Sequence, residues 1–386
     1  MVHLNRVSII RVNEYSGIYQ AIESSINLVG SFDLKGKRVL LKPNCLMPSK
    51  NAITSPEIVG NIAKWVKNKG GTPIIGDSPM SGGKTALEIY KKVKYKGKSG
   101  FDIITEIENE VEWTSFLENP ILISKEIMKF QRLEKTAISS NFVNADFIIN
   151  IPKWKTHFLT KFTGGVKNYW GVQIGKVKSR SHSYGNSPDK FSVVLTDLYS
   201  YIKKINKDNL IIMDAINIMH GTGGPSFGVM KELGLIITAT NSVSLDSVAV
   251  SIGGINPFNV PTLKYCHQRG LGIADLNQIE ILGNSINDVK CKLNFPTITI
   301  GDTLGLLQPL YSRATRKIPR VKRYKCIKCG TCIDLCPTGS ISLNKITQYP
   351  EFRRSTCISC LCCVEGCPNH AIKAHSAGIY GIIGLV

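Results

Sequence analysis

Eight cysteines near the end of the chain have the residue type and spacing that iron–sulfur clusters require. They form two runs of the pattern C-x2-C-x2-C-x3-C-P, each closed by a proline. Three thiolates on one tight loop can bind three irons of a cubane, and the fourth thiolate must come from elsewhere in the chain. The spacing therefore predicts two 4Fe-4S clusters.

This spacing is that of bacterial ferredoxins, in which the fourth cysteine of each run binds the cluster of the other run. We assign the first cluster to Cys326, Cys329, Cys332 and Cys367, and the second to Cys357, Cys360, Cys363 and Cys336. Cys362 precedes Cys363 and competes for the same iron, but only Cys363 keeps the register of the first run.

Structural zinc and disulfides are the alternatives for these cysteines. A zinc site usually pairs two C-x2-C units across a longer segment, so two compact runs of four cysteines fit it poorly. Disulfides indicate an oxidising compartment, yet the first residues, MVHLNRVSIIRVN, lack the features of a signal peptide. We therefore expect a cytoplasmic protein with reduced thiols.

Length and composition indicate two domains and no membrane span. The chain has 386 residues, of which 43% are hydrophobic, as in ordinary globular proteins. No segment approaches the roughly 20 apolar residues that cross a bilayer. The tail at 376–386 is apolar but short, and we expect it to dock on protein.

Positive charge is concentrated in one segment. The formal net charge is +20, and two oxidised clusters with their thiolates would add about −4. Residues 311–325, YSRATRKIPRVKRYK, hold seven Lys or Arg and no acid. This basic strip is either a solvated linker or a docking surface for an acidic redox partner or another anionic surface. We do not expect nucleic-acid binding, since the sequence has no recognisable module for it.

The elements that must position these groups follow an alternating pattern. Residues 1–305 alternate between short apolar runs and helical patterns, which predicts an α/β domain with a layered, largely parallel sheet. A basic linker at 306–325 and a small α+β ferredoxin-like dicluster domain at 320–375 should follow. Helices are predicted at Pro56–Lys69, Asp189–Lys204 and Ser244–Ile252. Strands are predicted to start at Val7, Arg38, Thr72, Asp146, Leu210, Leu233, Ile279 and Pro296.

Polar side chains follow several of these strands, at the edge where open parallel sheets bind ligands. A set of lysines at one edge favours an anionic ligand, a carboxylate or a phosphate, and histidines and aspartates there can move protons. The alternative is that each residue is a solvated loop residue or a helix cap. The set comprises Lys42, Asn44, Asp77, Lys153, Lys155, His157, Asp214 and His220.

A glycine-rich loop, TGGVKNYWG at Thr163–Gly171, adds Lys167 and Asn168. Its backbone donors can cradle an anion, although a structural loop fits the pattern equally well. His182 lies in a polar loop, where it is either a surface residue or a member of the site. The run HGTGGPSFG has the wrong glycine spacing for a dinucleotide site, and we expect Cys45 to be a buried, unreactive thiol.

The order of several motifs resembles one known family. The motifs are KPN at 42–44, GDSP at 76–79, PKWKTH at 152–157, TGGVKNYWG, His182, DAINIMHGTGGP at 214–225, SLDSVA at 244–249 and GLG at 270–272. With the double cysteine run, the chain is similar to the family called domain of unknown function 362, whose members often carry a C-terminal two-cluster ferredoxin module. The resemblance implies an iron–sulfur protein of anaerobic or low-oxygen metabolism and names no reaction. Similar members often have an acidic residue where this chain has His220 and an extra glycine.

Two functions follow from these residues. The first is an oxidoreductase that passes low-potential electrons to a small anionic substrate, and the alternative is an electron carrier whose large domain binds a redox partner. For the first we predict catalytic roles for His157, Asp214 and Lys153. Substrate-binding roles are predicted for Lys42, Asn44, Asp77, Lys155, Lys167, Asn168, His182 and His220.

Overall fold

The structure, a computed structural model, describes residues 5–12, 17–80, 83–185, 187–221, 228–296 and 317–376. Its strands are β1 (Arg6–Arg11), β2 (Arg38–Pro43), β3 (Thr72–Ile75), β4 (Lys94–Tyr95), β5 (Lys98–Ser99), β6 (Glu112–Trp113), β7 (Pro120–Ser124), β8 (Lys135–Ser139), β9 (Phe147–Ile151), β10 (Lys153–His157), β11 (Lys161–Thr163), β12 (Leu210–Gly221), β13 (Gly228–Ala239), β14 (Glu280–Gly283), β15 (Lys317–Val321), β16 (Ile341–Leu343), β17 (Pro350–Phe352) and β18 (Ile372–Ser376). Its α-helices are Ile18–Val29, Pro56–Asn68, Ala86–Lys92, Gly100–Ile107, Lys125–Met128, Ser140–Asn144, Gly165–Asn168, Gly175–Arg180, Pro188–Lys204, Ser242–Ile252, Pro261–Gln268, Ile286–Val289, Thr331–Asp334 and Cys362–Glu365.

A ten-stranded sheet organises the described part of the larger domain, with β14, β1, β13, β12, β9, β2, β3 and β6 in that order. From β12 to β6 the neighbouring strands run parallel, whereas β13 pairs antiparallel with both β12 and β1. β10 adds in parallel to the far half of β12, and β11 folds back on β10. The predicted α/β class with a largely parallel sheet is confirmed.

Two hydrophobic cores cover the two faces of this sheet. Val39 and Leu41 of β2 belong to one core, which contains the apolar faces of helices Ile18–Val29 and Pro56–Asn68. Leu40 faces the other core, with helices Pro188–Lys204 and Ser242–Ile252. Side chains alternate between the faces of a strand, so a continuous apolar run such as VLL supplies both layers.

The three helices predicted from the sequence are present, with ends shifted by one or two residues. Pro56 occupies the first turn of its helix, as predicted. Ser55 precedes it, but its hydroxyl bonds the Glu57 carboxylate and does not cap a backbone N–H.

The strand at Leu210 is longer than predicted. It remains paired with β13 as far as the Gly221–Gly228 pair, so the chain does not leave the sheet after Asp214. The predicted convergence of His220 with Asp214 at a strand end is therefore wrong, because His220 lies farther out on the β12–β13 hairpin. The predicted strand from Pro296, the glycines at 223 and 224, the linker up to 316 and tail residues 377–386 lie outside the described residues.

The C-terminal module is small and built around its cysteine runs, and it has the predicted ferredoxin-like α+β character. β15 and β18 pair antiparallel and join its beginning to its end, and β16 pairs with β17 between the two runs. Helices Thr331–Asp334 and Cys362–Glu365 lie within the runs. Phe158, which follows β10, packs against the core of this module, so the two domains are in direct contact.

Candidate functional site

A pocket opens beyond the carboxyl ends of β2 and β3, beside β10 and the glycine-rich loop. It has a volume of about 640 Å³, part of which is open to solvent. Three lysines line it: Lys155 from β10, Lys167 from helix Gly165–Asn168, and Lys178 from helix Gly175–Arg180. The carboxylates among its described lining residues are Asp77 and Glu365.

Two buried ion pairs lie at the same sheet edge. Lys42 Nζ donates to Asp77 Oδ1 at 2.9 Å, and Lys153 Nζ donates to Asp214 Oδ2 at 2.8 Å. Each carboxylate also accepts a backbone N–H at 2.8 Å. Because each buried charge is compensated by its partner, these pairs hold neighbouring strand ends together and do not offer an unpaired charge to a ligand.

A chain of amide side chains orients Lys155. Its Nζ donates to Asn44 Oδ1 at 2.9 Å and to the Ala52 carbonyl at 2.8 Å, which uses two of the three donors of an ammonium group. Asn44 Nδ2 donates to Asn168 Oδ1 at 2.9 Å, and Asn168 Nδ2 donates to Asn150 Oδ1 at 2.7 Å. The network thus fixes Lys155 without giving it a carboxylate partner.

Burial lowers the pKa of each lining lysine. The pKa is about 8 for Lys155, about 7 for Lys167 and about 8 for Lys178, with burial the main cause in all three. Glu365 opposes this shift for Lys155 and Lys167, and Asp77 opposes it for Lys178. A bound anion would stabilise the protonated forms further, so the electrostatics favour an anionic ligand.

Two histidines line the pocket in a neutral form. His157 Nδ1 accepts the Leu159 backbone N–H at 3.1 Å, which assigns its own proton to Nε2. Burial, and then Lys167, lower the pKa of His157 to about 4. His182 stacks on Phe191 with ring centroids 4.4 Å apart, and burial lowers its pKa to about 3.

One residue of the C-terminal module completes the pocket. Glu365, at the end of helix Cys362–Glu365, is only 9% exposed and lines the same pocket as the lysines. Its Oε1 lies 3.2 Å from His157 Nε2, close enough for attraction, but the N–H does not point at it in hydrogen-bond geometry. Among the described residues this oxygen has no hydrogen-bond partner.

The structure brings together most of the residues predicted from the sequence. The pocket is lined by Asn44, Asp77, Lys155, His157, Lys167, Asn168 and His182. Lys42, Lys153 and Asp214 form the ion pairs and are outside the lining. His220 is also outside it, and its Nδ1 accepts the Asn294 N–H at 3.4 Å.

Sequence reasoning missed Lys178 and Glu365. Lys178 precedes His182 by four residues, a spacing that places two side chains near each other on a helical segment. Glu365 lies between Cys363 and Cys367, where only the ligands attracted attention. Nothing in the cysteine spacing indicates that a residue between ligands faces the other domain.

Two cavities in the C-terminal module each bring four cysteines together. One is lined by Cys326, Cys329, Cys332 and Cys367, and the other by Cys336, Cys357, Cys360 and Cys363. Among the described residues, no group of three or more His, Cys, Asp or Glu is arranged to hold a single metal ion. Four thiolates spread around a cavity fit the larger 4Fe-4S cluster, so the donor set and its placement suit that cofactor.

The remaining cysteines near these sites are buried. Cys362 is 1% exposed and is outside the lining of both cysteine cavities. Cys45 is fully buried, as expected, and burial together with Asp77 raises the pKa of its thiol well above the usual value. A thiol with a raised pKa is a poor nucleophile.

Comparison with known families gives two matches. The profile of the family described as "Domain of unknown function (DUF362)" matches residues 39–251. That of the 4Fe-4S dicluster domain matches residues 325–371, which includes both cysteine runs. The protein is therefore an iron–sulfur protein with a ferredoxin-type 4Fe-4S dicluster domain.

Individual proteins also resemble this chain, at low to moderate sequence identity. The Thylakoid-associated protein sll1697 of Synechocystis sp. is 32% identical over 247 residues, which cover 63% of this chain and 71% of that protein. The lactate racemase apoprotein from Thermoanaerobacterium thermosaccharolyticum aligns with a TM-score of 0.40 and 19% identity over 66% of this chain and 58% of its own, so this chain spans less than two thirds of it. A protein from Thermotoga maritima aligns with a TM-score of 0.37 and 11% identity over 88% and 86% of the two chains.

These comparisons leave the location of the protein as a prediction. The name of the Synechocystis relative associates that protein with thylakoids. In the described parts of this chain, none of the helices combines the length and the apolar character that crossing a membrane requires.

Proposed function

This chain belongs to the DUF362 family and carries a dicluster ferredoxin-type domain, and we propose that it is an oxidoreductase with a small anionic substrate. The observation that carries the proposal is one pocket lined by lysines of the larger domain and by Glu365 of the dicluster domain. An anion bound there would lie beside the domain that brings the electrons.

In this proposal the lining lysines bind the substrate. Lys155, Lys167 and Lys178 attract its anionic group, and Asn44 holds the Lys155 ammonium in place. The buried pairs Lys42–Asp77 and Lys153–Asp214 have a positioning role, because they fix the strand ends from which the pocket is built.

A lining group moves the proton that accompanies reduction. The sequence suggested His157 or Asp214, but Asp214 is paired with Lys153 outside the lining, and the low pKa of His157 leaves it neutral. The pKa of Lys167 is about 7, which suits proton transfer near neutral pH. We therefore assign proton transfer to Lys167. His157 is assigned a different role, in which its Nε2–H donates a hydrogen bond to the substrate.

The two cysteine sets would hold 4Fe-4S clusters, which supply one-electron transfer at a potential set by their surroundings. The contribution of the chain is to bring the pocket to them. His157 lines the pocket and stacks on Phe158 with ring centroids 4.7 Å apart, and Phe158 packs on the core of the dicluster domain. Two adjacent residues thus connect the pocket to that domain.

An anaerobic reoxidation assay tests this function. Protein reduced with dithionite is mixed with the low-molecular-mass fraction of the source cells, and the return of oxidised-cluster absorbance is followed. We expect Lys155→Gln to slow reoxidation by roughly tenfold or more. The matched variant of an exposed lysine, Lys35→Gln, should behave like wild type. Equal rates in wild type and Lys155→Gln would refute substrate binding at the pocket.

A second function, electron carriage to a protein partner without catalysis, is favoured by the basic surface of the dicluster domain. Tyr324 is 79% exposed, with Lys322 Nζ 5.9 Å and Lys325 Nζ 6.0 Å from its ring centroid. An acidic partner would be attracted to this surface in a salt-dependent manner.

The same assay separates the two functions when an acidic flavodoxin replaces the cell fraction. Electron carriage predicts that the Lys322→Gln, Lys325→Gln double variant transfers electrons more slowly and with less salt dependence, while Lys155→Gln stays normal. A rate that does not change with salt concentration would exclude this docking surface.

A further inference from the structure

We infer that Glu365 is a ligand-binding residue, and that the ligand of the pocket is a small anion carrying a hydroxyl or amino group beside its charge. The inference rests on the proposed function, because it takes the anionic group to be bound by the lysines. In this inference the ferredoxin-type domain has two roles. It provides the cysteines, and through Glu365 it also contributes to substrate specificity.

The first support is the state of the Glu365 carboxylate. Oε1 is buried, lies on a residue that lines the pocket, and has no hydrogen-bond partner among the described residues. Among the described residues, the group within ion-pair range of Oε1 is His157, whose Nε2 lies 3.2 Å away without meeting hydrogen-bond geometry. Burying an acceptor without a donor costs free energy, so such a group indicates a donor that arrives from outside the protein.

The second support is the balance of donors and acceptors around the pocket. Lysines supply donors, and the indole Nε1 of Trp170, another lining residue, is buried without a partner in the described part of the chain. Asp77 already accepts from Lys42 and from the Cys45 N–H. Each oxygen of Asp77 thus accepts a hydrogen bond from the protein, whereas Glu365 Oε1 accepts none from the described residues and is the lining carboxylate oxygen left for a ligand donor.

The donors on one side of this balance and the Glu365 acceptor on the other define the complementary ligand. Its charged oxygens fit the lysines and the indole N–H, and a separate hydroxyl or amino hydrogen fits Glu365 Oε1. An anion without such a donor would face the carboxylate as a like charge in a partly buried site, where repulsion is weakly screened. The donor group removes this repulsion by bridging the two charges.

Anaerobic calorimetry with isosteric pairs tests the inference. Glycolate is compared with propionate, and hydroxymethylphosphonate with ethylphosphonate, so that within each pair a hydroxyl replaces a methyl group. We expect wild type to bind the hydroxyl member at least about tenfold more tightly, because the analogue leaves the Glu365 oxygen unpaired. The two pairs also show whether the charged group is a carboxylate or a phosphonate-like oxyanion.

Variants at the same position locate the effect. Glu365→Met removes the acceptor at similar size and should bind both members of a pair with equal affinity. Glu365→Gln keeps one acceptor oxygen and should retain most of the preference. An iron content of about eight per chain in each variant shows that the cysteine sites are intact.

The outcomes separate the inference from the function on which it rests. Equal affinity of wild type for both members of a pair overturns the role of Glu365 and leaves the anion pocket standing. No binding of any probe by wild type overturns the anion pocket and the inference together. Because both results come from wild type, they do not depend on whether the variants fold.

Discussion

Burial and pairing determine what each charged residue of the site can do. Lys42 in β2 and Asp77, which follows the end of the adjacent strand β3, neutralise one another at 2.9 Å. Lys155 is buried and Lys167 is half-buried, both without a carboxylate in the ion-pair range of the described structure, and desolvation lowers the pKa of each. The same residue type therefore stabilises the sheet edge in one place and prepares a binding site in another.

The lysine pKa values predict how anion binding depends on pH. A lysine binds an anion in its protonated form, so affinity should be highest below the pKa of about 7 for Lys167 and fall as pH passes the pKa of about 8 for Lys155. Glu365 and Asp77 face Lys155 and oppose the fall, while Lys153 enhances it. Calorimetry from below the pKa of Lys167 to above the pKa of Lys155 should show that the affinity for the anion falls by about tenfold. An affinity that stays constant would contradict these lysine assignments.

Removing one member of a buried pair should be costly. Asp77→Asn leaves Lys42, whose side chain is fully buried, without a counter-charge, and should lower the free energy of unfolding by about 3 kcal/mol. Glu112→Gln breaks the half-exposed Arg38–Glu112 pair and should cost less than about 1 kcal/mol. Urea unfolding under anaerobic conditions compares the two, and similar losses would show that Lys42 is solvated.

The glycine-rich loop shapes the pocket through close approach of its backbone. A Cβ on Gly171 would lie 2.3 Å from Asp77 Oδ1 and 2.7 Å from Lys42 Nζ, so the loop touches the ion pair where any side chain would collide. The glycine at this position is therefore required by close packing against the ion pair.

Gly171→Ala should therefore displace the ion pair and disturb the pocket. We expect a loss of about 2 kcal/mol in the free energy of unfolding, together with weaker anion binding. Gly17→Ala is the matched control, because an added Cβ there meets no atom of the described residues within 4 Å. If both variants behaved like wild type in urea unfolding and calorimetry, the loop would not pack as described.

The sequence predicted the presence of the strands better than it predicted where they end. Apolar runs such as those of β2, β9 and β12 identify buried strands, and their neighbouring order makes the polar strand ends converge. The extension of β12 to Gly221 escaped prediction because its pairing with β13 depends on a distant segment, and this moved His220 away from the pocket. Lys178 escaped because a lone lysine in a basic helix resembles a surface residue.

At the scale of the whole molecule, the functional account depends on contact between the two domains. Cysteine spacing predicted the groups that line each cavity, since ligand geometry is local and restrictive. It did not predict that helix Cys362–Glu365 would present Glu365 to the lysine pocket, because domain contact depends on surface complementarity that no short motif encodes. Phe158 and Glu365 make this contact from opposite sides of the domain boundary.

Anaerobic native mass spectrometry tests the central claim most directly. Protein purified from its source, then exposed to the low-molecular-mass fraction of those cells, is compared with Lys155→Gln treated in the same way. We predict that wild type carries the mass of two 4Fe-4S clusters and one small anion, and that the variant keeps the clusters and loses the anion. Wild type with both clusters and no bound anion, or an anion retained by the variant, would contradict a shared substrate pocket.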